Sequence, residues 1–266
     1  MKTVIGILLN LYLFILLGLA LTLSHEPTTK VATFVEQRYG PTPHFSEIKN
    51  VKEKKNRFFN YFAPIVADEN KRILQHRKTL ISLQKKLLHK RKLRKHGIRV
   101  ADRYAKQYKV AIQSDKHQQI TQTLERANAV PIALALAQAA NESAWGTSRF
   151  ATKGNNFFGQ WCFKKGCGLV PQQRGAHSKH EVRLFRSPAE SVKAYIRNIN
   201  THAAYQNLRQ RRAQADKKGE VASGSQLAEG LISYSERGHE YIDEIQSMIR
   251  INRLESFDTA TQVETP

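Results

Sequence analysis

The sequence predicts a mainly α protein with a small β element, and three observations predict it. Apolar residues recur at helical spacing from Val51 onward. The segment PIALALAQAANESAW, Pro131–Trp145, opens with ten residues of which Gln138 alone is polar. One short stretch, His180–Phe185, alternates like a strand and follows a close pair of cysteines. The 266 residues can hold one full-sized domain plus extra helices, and 41% apolar content is enough to bury a core in part of the chain.

The first element is the run Val4–Leu23, uncharged, interrupted only by Asn10 and Thr22, and preceded by Lys2. It reads as a membrane-directed segment. Its length exceeds the apolar region of about 7–15 residues in a signal peptide and favours an uncleaved anchor, whereas Thr22 and Ser24 have the spacing of a cleavage site. Residues 1–24 are therefore expected to be an anchor or a signal peptide. The rest of the chain would then lie in the cell envelope: periplasmic, held at the inner membrane, or secreted. Residues 25–50 carry Pro27, Pro41 and Pro43 with few aliphatics, and read as a linker.

From Val51 the text turns helical and basic. Phe58, Phe59, Tyr61 and Phe62 crowd one segment, and Ile73, Leu80, Leu83 and Leu87 recur behind them, which predicts helices over Asn56–Ala67 and Asp68–His96 with Gly97 ending the second. Aromatics at this spacing fill cores. Further helices are expected over Ile98–Tyr108 and from Asp115 to about Ala129. Of the net charge of +21, the stretch Val51–Lys109 holds most: 19 Lys or Arg stand against 4 Asp or Glu, an excess of 15. In a cytoplasmic chain that would suggest nucleic acid. Behind an export segment it points instead to anionic envelope polymers or a phospholipid surface, met by sequence-independent attraction, and not to nucleic acid.

Pro131 suits the first turn of the next helix, which is apolar nearly all round and so belongs inside a domain. After Gly146 come Gly, Asn and aromatic residues in a loop, GNNFFGQWCFKKGCGL. Its two cysteines, Cys162 and Cys167, are the only two in the chain. A tight disulfide hairpin turning at Gly166 is the economical reading, with Lys164 and Lys165 at its solvated tip; free thiols or half a zinc site are the alternatives, and CxxxxC is a poor zinc spacing. Helices resume at Ser187–Asn200, Gly224–Tyr234 and Glu240–Asn252, and residues 259–266 read as a frayed tail.

Glu142 is the informative residue. It ends an otherwise apolar helix, where desolvation and the negative end of the helix dipole both favour the protonated carboxyl. A carboxyl kept protonated near neutral pH is what glycoside hydrolysis needs to protonate a leaving oxygen. The plain alternative is a Glu turned to solvent at a helix end. Gln138, Glu142 and Trp145 fall at i, i+4 and i+7, predicting one face with a hydrogen-bonding neighbour and an indole for stacking a sugar.

AQAANESAWGTSRFATKGNNFFGQWC resembles the glucosaminidase domain of glycoside hydrolase family 73 in its Bax-type bacterial form. The resemblance extends over roughly Val51–Asp258 and includes GCGLVP at Gly166–Pro171, HEVRLF at His180–Phe185, NTHAAYQNLR at Asn200–Arg209 and YSERGHEY at Tyr234–Tyr241. It implies a lysozyme-like, mostly α domain with a small β lobe, expected over 115–258 behind a basic helical region at 51–114. It also implies an endo-β-N-acetylglucosaminidase that cuts the glycan strands of peptidoglycan, with no cofactor. Through AQAxxES the family's catalytic acid falls on Glu142. NxFG falls on Asn156, Phe158 and Gly159 as a glycan-contacting loop. The C-terminal tyrosine motif is matched by Tyr234 and Tyr241 as rings, without the Asp between them.

The second catalytic group is open in the sequence. Glu181, on the predicted strand, is the candidate base, with an ordinary surface Glu as its alternative, and Glu236 is the next choice. Attack by the substrate's own N-acetyl oxygen needs neither, and Tyr234 would then position the acetamido group. His177 and His180 form HxxH, but no convincing third ligand follows, so no metal site is expected. A lytic transglycosylase on the same fold, or a non-catalytic glycan-binding protein of the envelope, stands as the alternative function. No zinc triad or activated Cys supports an amidase.

Overall fold

The structure is a computed structural model that describes residues 37–172 and 179–262. The expected anchor or signal at 1–24, residues 25–36 of the linker and His177 lie outside the described residues. No helix among the described residues is long and apolar enough to cross a membrane. The fold described below is the compact unit that begins at Pro43.

The first long element, α1, runs unbroken over Val51–Leu88. The sequence predicts two helices here and a stop at Gly97, and the structure corrects both. Asn50 caps the start by accepting the Glu53 amide at 3.0 Å. Pro64 lies inside the helix, on its exposed side. The carbonyl that loses its amide partner there belongs to exposed Asn60, which water can satisfy, so the helix continues. It ends instead where Lys90 takes a left-handed backbone, φ 56°. Gly97 sits in the first turn of α2 (Lys95–Gln107), where a Cβ would come within 3.3 Å of Leu83 on α1. Close approach of two helices, not termination, is the use of that glycine.

Next come α3 (Lys116–Arg126) and α4 (Ile132–Glu142). Asp115 caps α3 through the amides of His117 and Gln118. Every residue of α4 from Ile132 to Ala140 is buried, and α4 is packed by α1 on one side and by three later helices: α8 (Gly224–Ala228), α9 (His239–Ile251) and α10 (Ser256–Gln262). Its N-terminus is closed by Asp258, whose Oδ1 accepts the Ile132 amide at 2.6 Å and the Ala133 amide at 3.4 Å. An anion belongs at that end of a helix. Asp258 is therefore an integral part of the fold, and the chain beyond it stays helical to Gln262, where a frayed tail is expected.

After the short α5 (Arg149–Gly154), three strands form an antiparallel sheet in the order β1 (Trp161–Cys162), β3 (Glu181–Arg183), β2 (Gly168–Leu169). The register pairs Trp161 with Val182 and Gly168 with Arg183. The Cys162–Cys167 disulfide closes the hairpin. Two further helices, α6 (Pro188–Thr201) and α7 (Gln206–Lys218), complete the mainly α fold with its small β lobe. Buried Arg212 on α7 donates to the carbonyls of Asn128, Ala129 and Glu125, tying that helix to the end of α3.

The basic segment is not an appendage. Phe58 and Phe62 of α1 are fully buried, with ring centroids 4.7 Å apart, and Phe62 meets Phe157 at 4.6 Å. Phe45, inside the expected linker, joins them at 5.2 Å from Phe58 and fills the space over Gly146, where a Cβ would stand 2.4 Å from its ring. Phe45 is thus core although its neighbours in 43–50 are not, and 51–114 and 115–258 share one hydrophobic interior.

Candidate active site

Glu142 is the last residue of α4, and the chain leaves the helix abruptly behind it. Ala144, Trp145 and Gly146 are three consecutive left-handed residues, with φ of 49°, 60° and 77°. Ser143 holds the turn, donating its Oγ hydrogen to Ala139 O at 2.6 Å and accepting the Gly146 amide at 2.8 Å. Left-handed backbone at a non-glycine residue is uncommon and costs energy that the surroundings must offset. The consequence for Trp145 is a correction. The helical spacing that puts it beside Glu142 stops at Glu142, and its ring meets Phe59 at 5.3 Å and Phe58 at 5.9 Å edge-on, under Lys55 Nζ at 4.8 Å. It is half-buried packing against α1.

Tyr241 meets the Glu142 carboxyl directly, and Gln138 reaches it only through Tyr241. Tyr195 donates its hydroxyl to Gln138 Oε1 at 2.6 Å, Gln138 Nε2 donates to Tyr241 Oη at 3.0 Å, and Tyr241 donates to Glu142 Oε1 at 2.9 Å. The chain of donors has one direction. Gln138 occupies the acceptor side of the Tyr241 hydroxyl, so its proton must go to Glu142. Oε1 is thereby held as an acceptor, and the carboxyl proton is left to Oε2. Gln138 is fully buried and Tyr241 is 2% exposed, so both support the acid from beneath instead of meeting a glycan.

Burial is the main reason the Glu142 carboxyl titrates above its ordinary value of 4.5. The Tyr241 hydrogen bond opposes the shift, the charge of Glu244 adds to it, and Arg237 opposes it. Glu244 itself is paired with Arg237 at 2.8 Å. Burial, reinforced by the Glu142 charge, keeps Tyr241 neutral far above the ordinary phenol range, so it remains a donor.

The loop Asn155–Gln160 closes over Glu142. Gly159 has φ 62°, and a Cβ there would approach Glu142 Oε2 to 3.4 Å, so the loop passes the carboxyl oxygen that does not accept from Tyr241. Asn156, 1% exposed, shapes this loop with every polar atom engaged. Its Nδ2 donates to the carbonyls of Gln160 and Arg183, and its Oδ1 accepts the amides of Phe158 and Gln160. Phe158, 2% exposed, stacks on Tyr195 at 4.0 Å and 10°. Neither side chain faces outward; both build the loop from within. Tyr234, half-buried, donates to Phe158 O at 3.2 Å and stacks on Tyr241 at 5.1 Å and 14°, which joins the loop to the relay. Tyr195 is the member that sequence reasoning missed. It lies 57 positions from Gln138, and helical periodicity alone marks it as core.

Glu181 is engaged by the cysteine hairpin. It is 5% exposed, and its two oxygens accept the Gly166 amide at 3.0 Å and the Gly168 amide at 2.8 Å, bracing the cysteine hairpin. A carboxylate so engaged is poorly disposed to activate water. It also lies beside the two sulfurs, but the disulfide leaves no thiolate for a metal there. Glu236 is exposed on the turn after Tyr234.

Residues 118–254 match the family model Glucosaminidase, described as mannosyl-glycoprotein endo-beta-N-acetylglucosaminidase. Over 201 residues the chain is 33% identical to "Protein bax" of Escherichia coli (strain K12), an alignment that covers 75% of this chain and 70% of that protein. No solved structure gives a significant match.

Proposed function

The chain belongs to the glucosaminidase family, and from that premise we propose that it is an endo-β-N-acetylglucosaminidase hydrolysing β-1,4 glycosidic bonds of peptidoglycan glycan strands, with Glu142 as the general acid. The single observation that carries the assignment is the directed relay Tyr195–Gln138–Tyr241–Glu142. It delivers a hydrogen bond to one oxygen of a desolvated carboxyl and leaves the proton on the other, beside Gly159 where the chain approaches without a side chain.

The acid step follows from this arrangement. Protonated Glu142 gives its Oε2 hydrogen to the leaving glycosidic oxygen as the C–O bond breaks. Negative charge then grows on the carboxylate, and the Tyr241 donor strengthens as it does, so the interaction is worth more in the transition state than in the ground state. Because both Glu181 oxygens accept hairpin amides, the proposal gives the second role to the substrate's own 2-acetamido oxygen attacking the anomeric carbon. Water then completes hydrolysis. In this scheme Tyr234 holds the Phe158 loop, against which the acetamido group lies, and keeps Tyr241 in place.

The substrate reading carries a location with it, the cell envelope. The exposed cations Lys85, Lys86, Lys90, Arg91 and Lys92 at the end of α1 form a surface for anionic envelope polymers or phospholipid headgroups. Digestion of purified sacculi, followed by borohydride reduction and mass spectrometry, tests the function. N-acetylglucosaminitol at the new ends is expected. Anhydromuramoyl ends would assign a lytic transglycosylase, and no new ends would assign a glycan-binding protein.

A further inference from the structure

We propose that Trp161 is the platform on which a sugar ring of the bound glycan stacks beside Glu142, an inference that rests on the glycan-cleaving function proposed above. The chain has two tryptophans. Trp145 is spent on Phe58, Phe59 and Lys55. Trp161 is 58% exposed, although an indole left in water forgoes the stabilisation that burial would bring.

Its position connects it to the acid. Trp161 opens β1 two residues after Gly159, and Gly159 is where the loop reaches Glu142 Oε2. Along the chain, the indole therefore follows directly on the segment that reaches the acid. One of its faces is covered by the His180 ring, at 4.1 Å between centroids and 14° between planes. The other is the open one.

The rest of the β lobe holds that indole still. Trp161 pairs with Val182 across the sheet, Cys162 next to it is tied to Cys167, and Glu181 grips the hairpin amides of Gly166 and Gly168. An aromatic ring ordered in advance loses little rotamer freedom on binding, so more of its contact area appears as affinity. The matching chemistry is a β-1,4-linked N-acetylhexosamine, whose pyranose ring turns an apolar C–H face to one side and directs its hydroxyl and acetamido groups outward around the rim. Glu181 acquires a purpose in this arrangement: it keeps the platform in place, at a distance from the bond that breaks.

The test uses the full chain carrying Glu142→Gln, which binds without turnover, and as probes soluble uncross-linked glycan strands and a β-1,4-linked N-acetylglucosamine hexamer. Calorimetry should give a Kd weakened about tenfold or more by Trp161→Ala and largely restored by Trp161→Phe, the scale of loss for a central aromatic contact. With Trp145→Phe added, so that Trp161 is the single tryptophan, binding should still change the tryptophan emission. In the active background Trp161→Ala should raise KM more than it lowers kcat, at an unchanged thermal midpoint. A Kd within twofold of the parent, an emission that stays constant while calorimetry reports binding, or no binding of either probe would overturn the platform. Absence of cleavage by the unmodified protein would instead overturn the function on which it rests.

Discussion

Tyr241 gives its phenolic hydrogen to Glu142 Oε1 at 2.9 Å while accepting one from Gln138 at 3.0 Å. The pair spans 99 positions of sequence and joins the end of α4 to the first turn of α9. It fixes Oε1 as the acceptor and so leaves Oε2 as the oxygen on which a proton would sit, and the predictions about catalysis depend on it.

Glu142→Gln should abolish glycan cleavage, by the 10²–10⁴-fold that loss of a general acid commonly costs. The amide keeps an oxygen for Tyr241 and fills the same volume, so the thermal midpoint should move little. Turnover of sacculi measured beside a melting curve checks both halves. Activity within a few-fold of the unmodified protein would remove Glu142 from the mechanism.

Tyr241→Phe separates the acid from its support. The hydroxyl bond favours the charged carboxylate and so lowers the Glu142 pKa against the larger effect of burial. Removing it should raise that pKa. General-acid catalysis needs the protonated form, so the rate falls as pH rises through the Glu142 pKa, and the basic limb of the kcat/KM profile should move to higher pH. The maximal rate should also fall, and stability should drop by about 1–3 kcal/mol, because Gln138 Nε2 is left buried without its acceptor. A basic limb that stays or moves downward would refute this account of the pair.

Much of this was legible in the residues. Two cysteines five apart and a crowd of phenylalanines identify the hairpin and the core without coordinates, and an acid at the end of an apolar helix marks the candidate site. Trp145 was misplaced because periodicity says nothing of a helix that stops at Glu142 and turns left-handed at Ala144. Glu181 stood between a candidate base and a surface strand residue because alternation cannot reveal amides arriving from a hairpin thirteen and fifteen residues earlier. Nothing local announces Tyr195 as the start of a relay, since its partner is brought to it only by the packing of α4 and α6 on α1. The join of two expected helices into α1 turned on a detail of exposure, namely that Asn60 faces water.

Asp258 ties stability to pH. Burial raises its carboxyl from 3.8 to about 6, against the bonds from the Ile132 and Ala133 amides. The folded chain therefore holds this proton over a range in which the unfolded chain has released it. The Asp258 contribution is largest below about pH 4, is lost as pH rises to about 6, and is level above that. Other carboxylates with lowered values, Asp102 and Glu190 among them, slope the opposite way. The difference between the parent and Asp258→Asn, taken from urea midpoints between pH 4 and 7, isolates the term. That difference should shift in favour of the Asn variant as pH rises, and a pH-independent difference would show that Asp258 does not titrate there.

The basic end of α1 should govern association without choosing the bond to be cut. Lys85, Lys86, Lys90, Arg91 and Lys92 are all exposed, and none pairs with a carboxylate among the described residues. Attraction between exposed charges fades once ionic strength brings the Debye length to about 8 Å or less. The relay beneath Glu142 is sheltered from salt by burial. Raising salt, or replacing these five cations with Gln, should weaken sedimentation with intact sacculi while turnover of a short soluble glycan stays within a few-fold. If neither quantity moved, the cations would only keep the helix soluble. If the Gln variant lost activity on the short glycan, the end of α1 would belong to the active site, and the separation of surface attraction from cleft chemistry would fail.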